Sequence, residues 1–95
     1  MDNRAKVLLS VQRALLGEVT PDLRGVSVEV NDNRVRLTSY FADKVTEDQK
    51  DVVSTITAEV AADLPHDWTI EDDLVTAPVS GRLPENVIWA YRRKE

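Results

Sequence analysis

The chain of 95 residues contains no cysteine, one histidine and only three glycines. Without cysteine it forms neither disulfides nor thiolate metal sites, and it offers no thiol nucleophile. The glycines are too far apart for a loop that cradles phosphate groups. A lone histidine, with no second imidazole or thiol, does not complete a transition-metal site. We therefore expect the protein to hold neither a metal ion nor a cofactor.

Long apolar stretches are missing as well. No run approaches the roughly 20 apolar residues needed to span a bilayer. The N-terminus also lacks the apolar stretch and small-residue cleavage site of a secretory signal. With the absence of cysteine, these features predict a cytoplasmic protein with no membrane partner. The length fits one domain that spans residues 1–95.

Acidic residues outnumber basic ones, which gives a net charge of -5 and a sequence pI of about 4.8. The segment from Asp43 to Asp73 holds ten acids and two bases. A protein that binds nucleic acid would normally carry a basic patch, so we expect no nucleic-acid partner. An acidic surface suits a basic protein partner instead. A solvated charged face without a partner is the alternative interpretation.

Two segments have the apolar spacing of amphipathic helices. The first covers residues 4–16, where Asp2 or Asn3 could cap the start and Gly17 supplies a left-handed end. The second opens at Thr46-Glu47-Asp48-Gln49, which has the residue types of a capping box. Its two acids also suit the positive end of the helix dipole.

The predicted strands are residues 26–30, 34–41, 68–75 and 87–92. Asn31-Asp32-Asn33 has the residue types of a tight turn, so the first two strands should form a hairpin. Glu71-Asp72-Asp73 interrupts the alternation of the third strand and indicates a bulge or an edge strand. The order αββαββ predicts an α+β two-layer sandwich. In it, two helices cover one face of a four-stranded, mainly antiparallel sheet and leave the other face exposed to solvent.

At most two of the four Trp and Tyr residues are needed to fill so small a core. Alternation puts Tyr40 on the polar face of its strand, where we expect it to be exposed. The same rule puts Trp89 and Tyr91 on one face of the last strand, while Trp68 is expected in the core. An exposed aromatic residue would be a candidate anchor for a partner.

Residues suited to catalysis are few. His66 is the one candidate general base, and no serine lies in a nucleophile elbow. Three adjacent acids at Glu71 to Asp73 do not have the spacing of a calcium loop. We therefore expect a binding protein and not an enzyme.

Three stretches carry a family resemblance. They are Ser10 to Gly17 continuing to Leu23 to Val26, Glu59 to Pro65 followed by Ile70-Glu71, and Ile88 to Glu95. With the acidic helix start at Thr46-Glu47-Asp48, the chain resembles the small immunity proteins of bacterial contact-dependent growth inhibition and related polymorphic toxin systems. The resemblance spans nearly the whole chain. It implies a cytoplasmic protein that neutralises the C-terminal domain of a cognate toxin, often a nuclease, here an RNase rather than a DNase.

A basic toxin domain would meet the acidic exterior of this protein, and no small-molecule ligand is expected. The predicted partner-binding residues are Tyr40, Asp43, Glu47, Asp48, Asp51, Glu71 and Asp73. The acids would speed the encounter with the basic partner and form ion pairs with it, and the tyrosine would contribute buried area. Two alternatives are a regulatory or adaptor domain whose partner is not a toxin, and an enzyme that uses His66 with nearby acids.

Overall fold

The computed structural model of the protein describes residues 3–95. The elements are α1 (Asn3–Leu15), β1 (Leu23–Asn31), β2 (Arg34–Phe41), α2 (Glu47–Asp63), β3 (Thr69–Thr76) and β4 (Ile88–Arg92). The predicted order αββαββ and the α+β class are confirmed. Two helices pack on one face of a four-stranded sheet.

The sheet is mixed, with the strand order β3-β2-β1-β4. Strand β1 pairs antiparallel with both β2 and β4, whereas β2 and β3 are parallel. The prediction of a mainly antiparallel sheet therefore holds for two of the three strand pairs. The exception follows from α2, which returns the chain to the end of the sheet where β2 began, so that β3 runs in the same direction as β2.

One apolar cluster joins the helices to the sheet. Its members are Val7, Val11, Ala14, Leu15, Leu23, Val26, Val28, Val35, Leu37, Phe41, Val53, Ile56 and Val60. Alternating residues of the β1–β2 hairpin supply its sheet side, because successive side chains of a strand point to opposite faces. Trp68 is half-buried and packs against the cluster, as expected for a core residue.

The predicted element boundaries agree with the structure to within one residue, except that β1 begins at Leu23 and not at residue 26. Gly17 has φ +80° just after α1, and Asp32 has φ +54° in the hairpin turn. Thr46 and Gln49 form the predicted capping box of α2. Asn3 is already helical and is therefore not the cap of α1, while Asp2, the other candidate cap, lies outside the described residues.

Strand β4 differs from its prediction. Val26 faces Tyr91 and Ser27 faces Trp89, so one extra residue of β4, Ala90, lies between two adjacent pairs. This bulge puts Trp89 and Tyr91 on opposite faces of the sheet, whereas simple alternation placed them together. Tyr91 packs against the core on the helix side, and Trp89 lies on the other face.

For β3 the sequence left open a bulge or an edge strand, and the structure shows an edge strand without a bulge. The strand is continuous from Thr69 to Thr76 and pairs with β2 without a register shift. It is an edge strand, and its three consecutive acids keep the strict alternation. Asp72 points to the helices, where its Oδ2 lies 2.7 Å from the Thr57 hydroxyl, while its two neighbours point away. An inward-pointing acid also discourages another chain from pairing with this edge.

Candidate partner-binding surfaces

Four of the predicted contact residues lie together. Asp43 is in the turn after β2, and Glu47, Asp48 and Asp51 are in the first part of α2. All four are exposed, and we call them the acidic surface. Glu47 pairs with Lys50 at 3.2 Å, whereas the other three acids make no ion pair with any residue between 3 and 95.

The capping box fixes where this surface begins. The Thr46 hydroxyl accepts a hydrogen bond from the Gln49 amide at 3.2 Å, and the Gln49 side chain accepts one from the Thr46 amide at 2.9 Å. Two donors that would otherwise be unpaired at the helix start are thereby satisfied. Gln49 also reaches Asp22 at 3.5 Å, which connects the helix start to the loop before β1.

The other three predicted contacts lie on the face of the sheet that the helices leave uncovered, which we call the open face. Tyr40 of β2 lies on this face, and so do Glu71 and Asp73 of the adjacent strand β3. A layer of sheet and helix therefore separates them from the acidic surface. The structure brings the seven predicted residues together in two groups and not in one.

Tyr40 is half-buried and not fully exposed as predicted, because Trp89 packs against it. The two rings meet edge to face, with centroids 5.3 Å apart and an interplanar angle of 61°. The Tyr40 hydroxyl lies 3.4 Å from that of Ser27, which is buried. Arg92 lies over the Trp89 ring at 5.5 Å from its centroid. The centre of the open face is thus formed by half-buried aromatic side chains that pack on each other, while both helices lie on the other face of the sheet.

The acids of the open face are neutralised locally. Arg36 donates to Glu71 at 3.1 Å and lies 3.7 Å from Asp73. The hydrogen bond with Glu71 and the charge of Asp73 raise the pKa of Arg36 above its ordinary value. Glu29 faces Arg36 across the β1–β2 pair and adds to the same effect. A basic partner would therefore meet less free negative charge here than at the acidic surface.

Arg24 is a residue whose importance the sequence pattern did not reveal. Its side chain is only 4% exposed, although it lies in a strand between apolar residues. It donates to both carboxylate oxygens of Glu95, at 2.6 and 2.7 Å, and to the carbonyls of Ala77, Pro78 and Gly81. The guanidinium thus joins the segment after β3 and the C-terminal residue to β1. The hydrogen bond from Arg24, with a further one from Arg93, lowers the pKa of Glu95 to about 2.

A cavity of about 80 Å³ lies between the end of α1, the start of α2 and the sheet; we call it the helix-end cavity. Its walls are mainly apolar, formed by Leu15, Leu23, Val26, Leu37, Phe41, Val52, Val53 and Ile56. Glu18, Asp48 and Gln49 also line it. Because exposed residues form part of its lining, the cavity opens to solvent at the surface of the protein.

Other candidate chemistry gains no support from the geometry. His66 is exposed in the turn between α2 and β3. Within residues 3–95, no three histidine, aspartate or glutamate side chains converge to fit a metal ion. Neither described helix has the length and hydropathy needed to cross a bilayer.

Charge is distributed unevenly across the molecule. In the helical layer α2 contacts β3, and α1 contacts β4 at the other edge of the sheet. Strand β3 contains three acids and no base, and α2 contains five acids and one base. In contrast, α1 contains three bases and no acid. The acids of α2 and β3 therefore lie toward one edge of the sheet, and the three bases of α1 lie toward the other.

Comparison with known proteins agrees with the resemblance found in the sequence. The sequence model of the family described as MafI2 immunity protein matches residues 4–95. A search of curated proteins found no match. Immunity proteins act on toxins, so membership implies that the partner of this protein is a cognate toxin protein. Because the match covers nearly the whole chain, the protein belongs to the MafI2 immunity protein family.

Proposed function

We propose that this protein neutralises a basic nuclease toxin by binding its C-terminal domain through the acidic surface, in the cytoplasm of the cell that makes both. The observation that carries this proposal is the set of exposed acids at the start of α2, most of them without an ion-pair partner among the described residues. A nuclease needs a basic cleft to hold phosphates, and an acidic protein is complementary to such a cleft. We further infer that the substrate is RNA and not DNA.

The first experiment tests the function itself. The protein is co-expressed with the C-terminal domain of the toxin encoded directly upstream, and the two are co-purified. We expect a stoichiometric complex, and we expect the isolated toxin domain to degrade RNA until the immunity protein is added. Failure to form a complex overturns the proposal. A toxin that cleaves only DNA, or no nucleic acid, overturns its nuclease assignment alone.

A second experiment tests the acidic surface. The double substitution Glu47→Lys with Asp51→Lys should slow association with the toxin by about tenfold and flatten its dependence on salt, because charge mainly speeds the encounter. The matched control is Asp67→Lys with Glu85→Lys, which makes the same change in net charge at exposed sites outside the predicted contacts. If both double variants slow association equally, only net charge matters and the assignment of the surface is wrong.

The open-face group is tested separately. Tyr40, Glu71 and Asp73 are proposed as a second patch, which a toxin could reach only by extending around the edge of the sheet. Tyr40→Phe keeps the ring against Trp89, and Tyr40→Ala removes it. Weaker toxin binding by the alanine variant alone would assign the ring to the interface. Unchanged binding by both variants would remove Tyr40 from the proposed contacts.

A further inference from the structure

The helix-end cavity is an apolar depression between the two helices and the sheet. Ser39 is 5% exposed and lines the cavity from the centre of the sheet. No buried side-chain polar atom of residues 3–95 lacks a hydrogen-bond partner, so the Ser39 hydroxyl is not an unsatisfied buried group. The cavity therefore offers a partner mainly apolar contact area.

The surroundings of the cavity have the character of an interface. Glu18 and Asp48 are exposed and contribute to its lining, and the chain next to it presents two exposed apolar side chains. Leu16 is 77% exposed and Val19 is 41% exposed, immediately after α1. An apolar depression with neighbouring charges is the usual form of a hot-spot pocket, where one anchor residue is buried and the rim stays polar.

We propose that the helix-end cavity receives one aliphatic side chain of the toxin domain, with basic residues beside it that pair with Glu18 and Asp48. This inference rests on the proposed function and specifies where the toxin binds. An engineered cavity of about 150 Å³ accepts benzene, so a volume of about 80 Å³ suits a short aliphatic group. Asp48 belongs to both the acidic surface and the cavity lining, so one partner could engage the two together.

Charge argues for a basic partner over a second copy of this protein. Two copies that met at this site would bring Glu18 and Asp48 of each chain close to the same acids of the other, and like charges in an interface are unfavourable. A basic toxin would instead place positive charge next to Glu18 and Asp48, beside the apolar helix-end cavity. Self-association is therefore a separate outcome that the experiment must detect.

The test fills the cavity without unfolding the protein. Val52→Phe extends a half-buried side chain of α2 into the volume, and Ser39→Leu fills it from the sheet. We expect each variant to unfold at the same or a higher denaturant concentration than the wild type, since filling a cavity with apolar atoms is favourable. We also expect its affinity for the toxin C-terminal domain to fall at least tenfold.

Val79→Phe is the matched control, because it makes the same substitution at a side chain that is 64% exposed and does not line the cavity. It should bind the toxin like the wild type. Two different filled variants are used so that a packing failure in one does not decide the result.

The outcomes separate the two proposals. Stable filled variants with weakened binding support the inference. Stable filled variants that bind with wild-type affinity overturn it, while the proposed function stands. A toxin domain that does not bind the wild-type protein overturns the proposed function. A wild-type dimer that Val52→Phe converts to a monomer would assign the cavity to self-association and would also overturn the inference.

Discussion

Arg24 shows how one side chain can organise a region that has little regular structure. The segment between β3 and β4 contains no helix or strand, and Arg24 connects it to β1 by donating hydrogen bonds to the carbonyls of Ala77, Pro78 and Gly81. A guanidinium has five donors in a fixed plane, so it can serve a carboxylate and several carbonyls at once. Lysine at this position could not reproduce that geometry.

The Arg24–Glu95 pair predicts a dependence of stability on pH. The pKa of Glu95 is lowered to about 2 in the folded protein, against about 4.3 for an unperturbed glutamate. A lowered folded-state pKa contributes stability in full above the unfolded-state value, and this contribution is lost as the pH falls toward 2. Glu95→Gln should therefore remove part of the stability at pH 6 and make the unfolding midpoint depend less on pH between 5 and 2.

Chemical denaturation at a series of pH values checks this expectation. Glu85→Gln is the control, because Glu85 is exposed and makes no ion pair with residues 3–95. Its pH profile should run parallel to that of the wild type. An equally parallel profile for Glu95→Gln would show that the pair with Arg24 does not contribute.

Gly25 matters because an aromatic ring lies against its backbone. A Cβ atom added there would lie 2.7 Å from the Trp89 ring and 3.1 Å from the Tyr91 carbonyl oxygen. Gly25→Ala should therefore displace Trp89 and cost about 1–3 kcal/mol, as overpacking typically does. Denaturant unfolding measures the cost, and tryptophan fluorescence reports the displacement. Gly81→Ala, whose Cβ would meet only the Pro78 carbonyl oxygen at an ordinary 3.4 Å, should leave the Trp89 signal unchanged.

At the scale of elements, α2 depends strongly on its first turn. Its end has no basic residue to complement the helix dipole, so the start carries most of the favourable local interactions. Those interactions are the capping box and the acids Glu47 and Asp48. The same turn presents the acidic surface, and this couples the local stability of the helix to the proposed binding site.

Thr46→Ala tests this coupling. Loss of the cap should lower the free energy of unfolding by about 1 kcal/mol, because the amide of Gln49 loses its acceptor. It should also weaken toxin binding modestly by allowing the acids to move. Thr55→Ala provides the comparison: its hydroxyl bonds only to the Asp51 carbonyl within the helix, and alanine there should be neutral or slightly stabilising. Equal losses of unfolding free energy in Thr46→Ala and Thr55→Ala would show that the capping hydrogen bond does not contribute specifically to stability.

At the scale of the whole molecule, the stability margin is small. A domain of this size is stabilised by roughly 5–14 kcal/mol, at about 0.05–0.15 kcal/mol per residue. Leu37 is fully buried in the centre of the sheet and borders the helix-end cavity, so truncating it would enlarge a void that already exists. Leu37→Ala should therefore cost about 2–5 kcal/mol and leave the fold marginal.

The measurement is the denaturant midpoint, with Leu16→Ala as control. Leu16 is largely exposed, and its truncation should change stability by less than about 0.5 kcal/mol. The two variants remove the same atoms from the same type of residue. Comparable effects would contradict the described packing around Leu37.

The sequence by itself determined the elements and their order, since these depend on interactions within a few residues. Apolar periodicity, the turn at Asp32 and the capping box at Thr46 each identified a local structure that the fold contains. Composition and resemblance likewise indicated an acidic immunity protein. When two interacting side chains are only a few residues apart, their spacing in the sequence can be recognised.

Only the tertiary structure decided what depends on distant parts of the chain. In the folded protein β3 pairs parallel with β2, and the bulge in β4 puts Trp89 and Tyr91 on opposite faces of the sheet. The predicted contact residues are divided between two surfaces of the molecule. The fold also buries Arg24 beside a carboxylate 71 positions away and leaves a cavity beside Ser39. The physical reason is that strand pairing and packing are set by the whole core, so no local spacing records them.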